Sequence, residues 1–172
     1  MIKIWIQIVV SAVVFILLQS LVVNYVHLFG LATPFIYIYI ILKLPLDLSR
    51  SLVIFIAFLT GLSVDMFSNT FGMHAAACSL LGLARLPLAK LIVDMREAPE
   101  GMIPSYRLGF GVFFRYVALL TAIHHIALFV IEFFGFFQPL MMTVRMTLSF
   151  MLTLLLIMVI EAFNLSRVKS ND

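Results

Sequence analysis

Six apolar blocks, at about residues 4–28, 31–46, 52–67, 71–93, 110–134 and 140–163, recur along a chain of 172 residues. A helix needs about 20 residues to cross the hydrocarbon core, with about 17 as a lower limit. Blocks one, four, five and six pass easily, the third is marginal and the second is short. In that second block Thr33 is placed to cap a helix, Pro34 to take its first position, and Pro45 to stop it near Lys43. The expected product is a stub. Apolar residues make up 64% of the chain and charged ones only 11%, against roughly 25% charged in soluble domains. Too little polar surface remains to face water all round, so residues 1–172 read as a single polytopic, all-α integral membrane domain of six spans. Five is the alternative, in which the second block is a re-entrant or interfacial piece.

The totals exclude other classes. A net charge of +3 is small, and its basic residues stand singly between apolar blocks, unlike a nucleic-acid-binding face. Cys78 is the one cysteine, which rules out an internal disulfide and a cysteine zinc site. The first block follows Lys3, but it is longer than a signal-peptide core and lacks a small-x-small cleavage site, so a retained span is expected. Trp5 at its start suits an interfacial anchor.

Basic residues of short loops stay cytoplasmic. The turns at 28–33, 68–70 and 135–139 carry none. Lys43 and Arg50 lie between blocks two and three, Arg85, Lys90, Arg96, Arg107 and Arg115 flank blocks four and five, and Arg167 and Lys169 follow block six. Six spans make all of these and Lys3 cytoplasmic. Five spans turn the amino terminus outward and leave Lys3 as the exception. Both arrangements keep the carboxyl terminus cytoplasmic and the 68–70 turn external. Residues 94–108, with Asp94, Arg96, Glu97, Glu100, Arg107, Pro99, Gly101 and Pro104, read as a solvated loop, with a docking surface as the sharper alternative.

Charged side chains inside spans are costly and call for partners. Asp65 lies near the external end of the third block, and Gly61, four residues earlier on the same helical face, allows close approach of a neighbouring helix. Glu132 precedes the external turn 135–139 and Arg145 follows it. The expectation is an external polar cluster in which Arg145 pairs with Glu132 or Asp65, within about 6 Å, with Asn69 and His74 close by. An ion pair fixing helix packing is weighed against a ligand or partner site. His124 and His125 point roughly 100° apart on a helix, which argues for packing hydrogen bonds and against a shared metal. Glu161 is expected to reach the interface or pair with Arg115 or Arg85. The seventeen Phe and ten Met suit lipid-facing and interhelical packing. No nucleophile elbow, His-Glu-x-x-His, phosphate loop or dense acidic motif is present. No catalytic residue, metal or cofactor is expected.

The third and fourth blocks meet in Gly61-Leu62-Ser63-Val64-Asp65, a short polar turn, and Gly72-Met73-His74-Ala75. This pattern, Gly-Leu-x-x-Asp, then a turn, then Gly-x-x-Ala, resembles the signature of the rod shape-determining MreD family. The specific residues are Gly61, Leu62, Asp65, Gly72 and Ala75, while length, hydropathy and loop charges agree along nearly the whole chain. The turn Asn69-Thr70-Phe71 and the sequence Ala84-Arg85-Leu86 after the fourth span depart from the family pattern. The resemblance implies a non-enzymatic component of the bacterial cell-elongation complex in the inner membrane, supporting peptidoglycan synthesis and cell shape. Its implied partners are MreC, whose single span the membrane helices would receive, and the larger assembly of RodA, an elongation transpeptidase and MreB. It also implies a fold similar to the substrate-binding subunits of energy-coupling-factor transporters, with Gly61, Asp65 and Gly72 shaping the hairpin. A solute-binding transporter subunit is the rival reading, and a small membrane enzyme ranks third.

Overall fold

The computed structural model describes residues 2–21, 32–93, 99, 101–132 and 139–169, with side chains over 10–19, 32–93, 99, 101–132 and 139–164. Expectations for the side chains of Lys3, Trp5, Asp94, Arg96, Glu97, Glu100, Arg167 and Lys169, and for the turn at 133–138, lie outside the described residues. Every regular element among the described residues is helical: α1 (Ile2–Leu21), α2 (Ile38–Leu42), α3 (Arg50–Ser68), α4 (Met73–Ile92), a 3-10 turn (Tyr106–Leu108), α5 (Phe110–Glu132) and α6 (Pro139–Lys169). Four of these, α3, α4, α5 and α6 over Pro139–Asn164, are long and apolar enough to cross a membrane. The protein is a membrane-embedded, multi-pass helical bundle.

In lipid each backbone group needs an internal partner, which favours helices. Polar side chains on the spans follow the same rule. The hydroxyls of Thr60, Ser63, Ser79 and Thr143 donate to the carbonyls of Ile56, Leu59, Ala75 and Pro139, each at 2.8 Å. Pro87 inside α4 has no N–H for the carbonyl of Leu83 one turn earlier. Arg50 donates to that carbonyl instead, at 3.5 Å.

Small residues set the α3–α4 contact. A Cβ on Gly61 would lie 2.4 Å from the His74 carbonyl oxygen and 2.6 Å from Ala75 Cα. One on Gly82 would meet Ala57 Cβ at 3.0 Å and Ile54 Cα at 3.2 Å. The first is a backbone approach that a larger residue blocks, and the second is close enough that a Cβ would require its neighbours to yield slightly, as at small-residue interfaces generally.

The second apolar block departs from expectation. Its helix starts at Ile38, not Pro34, and has five residues, about 7.5 Å of rise and too little to span. Residues 32–46 nevertheless lie in the core, with Tyr37, Ile38, Ile41, Leu42 and Leu44 completely buried. The extended amides are held by side chains from other helices: Thr33 N–H donates to Ser149 Oγ (3.1 Å), Phe35 N–H to Thr153 Oγ1 (2.9 Å) and Ile36 N–H to Gln19 Oε1 (2.9 Å). Gln19 Nε2 returns a bond to the Pro34 carbonyl at 3.0 Å. Unwound backbone at membrane depth is tolerated where protein buries it.

These contacts also give direction. Thr33 and Phe35 meet α6 at Ser149 and Thr153, while Tyr39 and Lys43 meet it at Glu161. The segment therefore runs beside α6 in the same sense for about 18 Å, the rise from Ser149 to Glu161. Against α1 it runs antiparallel, because Gln19 meets Pro34 and Ile36 while Phe15 packs on Tyr39 with ring centres 5.3 Å apart.

Candidate functional site

The α3–α4 hairpin carries five of the seven residues singled out by the sequence. α3 ends on Asn69 in the left-handed region (φ 54°), and the Asp65 carbonyl accepts both the Asn69 amide and the Thr70 amide, the latter at 3.1 Å. α4 opens on Gly72, whose φ of +80° and lack of neighbours within 4 Å make conformation, not space, the reason for glycine. A glycine at the helix start supplies no side-chain cap. Asp65 supplies it from across the turn: its buried carboxylate accepts the amides of His74 (3.1 Å) and Ala75 (2.8 Å) and the Thr70 hydroxyl. These amides are among the orphan donors of the first turn, and a carboxylate there also meets the positive end of the helix dipole. Gly61 completes the arrangement by letting the same residues, His74 and Ala75, sit against α3.

His74 then turns inward. Tyr37 Oη, from the unwound segment, lies 2.8 Å from His74 Nδ1 and 2.8 Å from His124 Nε2 on α5. One hydroxyl has a single proton, so at least one of the two imidazoles donates to it. His125 faces a separate set of partners: Nδ1 donates to the Thr121 carbonyl at 2.8 Å, and Nε2 is 3.3 Å from Thr153 Oγ1, the atom that holds the Phe35 amide. The Phe35 ring packs against His74, His124 and His125 with centroids 5.3–5.9 Å apart. The two adjacent histidines thus serve different contacts, as their angular separation predicts. Among the described residues no group of three or more His, Cys, Asp or Glu side chains is placed to hold a metal ion.

At the other end of the segment, Lys43 and Glu161 form an ion pair at 3.0 Å. Lys43 Nζ also donates to the Pro104 carbonyl at 2.6 Å, Tyr39 Oη donates to Glu161 at 2.7 Å, and Asn164 donates to Tyr39 Oη at 2.8 Å. Glu161 therefore pairs with neither Arg115 nor Arg85. Arg115 donates along its own helix to Gly111, and Arg85 is a buried residue bonded to the carbonyls of Leu44 and Pro45. Tyr116 Oη donates to the neighbouring Leu42 carbonyl at 3.1 Å. Arg85 and Tyr116 thus terminate the α2 region, where carbonyls run out of helical partners.

The expected external cluster forms only in part. Asp65, Asn69 and His74 share the hairpin, but the Asp65 carboxylate is occupied by α4 and Arg145 does not join it. Arg145 acts electrostatically on Glu132 across α5 and α6. Among the described residues the one ion pair within 4.0 Å is Lys43–Glu161, so Arg145 and Glu132 stop short of one.

Sequence reasoning missed Tyr37, Gln19, Thr153 and the interior position of Arg85. A signal for the segment was present. Phe35-Ile36-Tyr37-Ile38-Tyr39-Ile40-Ile41 is β-branched and aromatic throughout and is bracketed by Pro34 and Pro45, a poor helix in composition. No family model, characterised protein or solved structure matches the chain.

Proposed function

We propose that this chain is a non-enzymatic membrane scaffold of the bacterial cell-elongation machinery, similar to MreD, that binds MreC and supports RodA, the elongation transpeptidase and MreB in peptidoglycan synthesis. The observation that carries this reading is the internal use of its polar side chains. Asp65 caps α4, His74 and His124 share Tyr37, and Glu161 holds Lys43 and Tyr39. The face that α3 leaves to the surroundings is largely apolar and aromatic, with Phe55, Phe58, Leu59 and Phe67 exposed. Partner helices would associate with such faces by shape-matched packing, since lipid supplies no hydrophobic drive between helices. The motif residues Gly61, Asp65, Gly72 and Ala75 fit this role as the builders of one tight hairpin.

In this reading the chain makes six passes through the inner membrane, with the unwound segment and α2 as the second. The amino-terminal end of α1 and the Glu161 end of α6 then share the cytoplasmic side with Lys43, Arg50 and Arg85. One observation favours the solute-binding alternative, with a fold like that of energy-coupling-factor substrate-binding subunits: transporters build sites from discontinuous helices near mid-membrane, and residues 32–46 are such a segment. Purification from native membranes in mild detergent, with co-purifying proteins identified by mass spectrometry, separates the two. MreC together with RodA or the transpeptidase is the expected recovery. Paired cytoplasmic ATPases with a coupling membrane subunit would overturn the scaffold reading.

A further inference from the structure

Three titratable side chains from three elements meet at one atom in the core. Tyr37 Oη, in the unwound segment, lies 2.8 Å from His74 Nδ1 on α4 and 2.8 Å from His124 Nε2 on α5. Tyr37 and His124 are completely buried and His74 is 7% exposed. The cluster ties the start of α4, and with it the hairpin, to the segment. Its hydrogen-bond order follows from one further atom, because His124 Nδ1 is buried with no partner.

A neutral imidazole carries one proton on one of its two nitrogens. A buried N–H without an acceptor is rarer in folded proteins than an acceptor without a donor. The His124 proton therefore belongs on Nε2, where Tyr37 Oη accepts it. Tyr37 then donates its own proton to His74 Nδ1, which leaves the His74 proton on Nε2. The chain runs one way, from His124 through Tyr37 to His74.

This order has no place for another proton. On His124 it would sit on the partnerless Nδ1. On His74 it would take the lone pair that Tyr37 uses. The displaced hydroxyl could then turn only to the Cys78 thiol, one helical turn beyond His74 and facing Tyr37, which is a weak acceptor. Either proton leaves a buried donor unmet beside a new buried charge. The other groups facing the cluster do not relieve this. From α3, Asp65 is an opposite charge for a protonated His74, but its carboxylate already accepts the His74 and Ala75 amides and the Thr70 hydroxyl. On α5, a protonated His124 would stand beside His125, with ring centres 5.5 Å apart. From α6 and α1 the segment meets the neutral Thr153 and Gln19.

We infer that His74, Tyr37 and His124 form a proton-operated latch, which holds the unwound segment against α4 and α5 while both histidines are neutral and opens when either takes up a proton. The latch makes the core of the bundle responsive to acidification, and it is independent of the scaffold reading. The sign follows from proton counting. The open arrangement binds at least one proton more than the closed one, so falling pH favours opening. The change begins where an unconstrained histidine titrates, at about pH 6.5. Below that, each proton taken up multiplies the open population by about ten per pH unit.

Hydrogen exchange of the full chain in lipid nanodiscs, between about pH 7.5 and about pH 5.5 and corrected for the intrinsic pH dependence of amide exchange, reads the opening over residues 33–42. Opening should be level in the upper half of that range and rise roughly tenfold over the lowest unit. The double variant His74→Asn with His124→Gln presents amides that can bond Tyr37 but do not titrate, so its opening should stay level throughout. Histidine 15N spectra of the wild-type protein near neutral pH, assigned with single His→Gln variants, test the order itself. His74 and His124 should both carry the proton on Nε2, and His125 on Nδ1, which donates to the Thr121 carbonyl. A His124 protonated on Nδ1, wild-type opening that does not change with pH, or a pH dependence that survives in the double variant would each overturn the proposal.

Discussion

The α3–α4 hairpin and the unwound segment 32–46 solve the same problem, backbone groups without helical partners inside a bilayer, in opposite ways. The hairpin solves it locally. Every bond that closes its turn, from the Asp65 carbonyl and carboxylate to the amides of Asn69, Thr70, His74 and Ala75, joins residues at most ten apart. The segment solves it at a distance. Its amides and carbonyls are met by Gln19 on α1, Arg85 on α4, Tyr116 on α5, and Ser149 and Thr153 on α6. The hairpin can form as soon as its two helices meet, whereas the segment has no partners until the bundle is assembled around it.

That difference predicts where substitutions do most harm. Gly61→Val should have the largest effect, because its side chain would enter the backbone of His74 and Ala75, which cannot move without parting the helices. A loss of about 3 kcal/mol or more is expected, at the upper end of overpacking costs, read as a collapse of the thermal transition of the detergent-purified protein. A Gly61→Val protein with unchanged melting would show that the hairpin is looser than its geometry, and would erase the contrast with the segment. Thr153→Val should come next. It removes the acceptor of the Phe35 amide and a neighbour of His125 while keeping the side-chain volume. Leaving one buried amide unmade costs about 1–3 kcal/mol, and membrane hydrogen bonds fall toward the low end of such ranges. Hydrogen exchange sharpens the test, since protection should fall over residues 33–42 and stay unchanged over α3 and α4. Equal loss in both regions would mean that the two fold as one unit.

The same contrast explains what the sequence disclosed. Gly61, Asp65, Asn69, Gly72 and His74 were legible as a hairpin because each acts within a few positions of the others, and local chemistry is written in local order. The apolar blocks likewise announced α3, α4, α5 and α6. The second block announced its apolarity but not its conformation. Whether Phe35 donates to its own helix or to Thr153 depends on a residue 118 positions away, and Pro34 reads equally well as a helix start or as the end of an extended strand. The charged residues mislead for a related reason. Helix ends fix which membrane face a side chain approaches, but not its partner on that face. Arg145 and Glu132 were placed toward one side and interact electrostatically there, whereas Glu161 chose Lys43, a residue whose position depends on the path of the segment.

The smallest effect separates conformation from contact within the hairpin. Gly72 has a positive φ and no atom within 4 Å of a built Cβ, so Gly72→Ala adds no clash and should cost only the strain of a left-handed residue, about 1 kcal/mol. Phe71 beside it is fully exposed, and Phe71→Ser should stay within roughly 0.5 kcal/mol. Melting curves for the pair of variants therefore isolate one backbone angle. If Gly72→Ala costs as much as Gly61→Val, the turn governs helix approach, and the close contact at Gly61 is its consequence. If it costs no more than Phe71→Ser, the Asp65 carboxylate alone holds the start of α4. The expected intermediate value assigns separate roles: Gly72 lets the chain reverse, Asp65 fixes the new helix, and Gly61 lets it lie close.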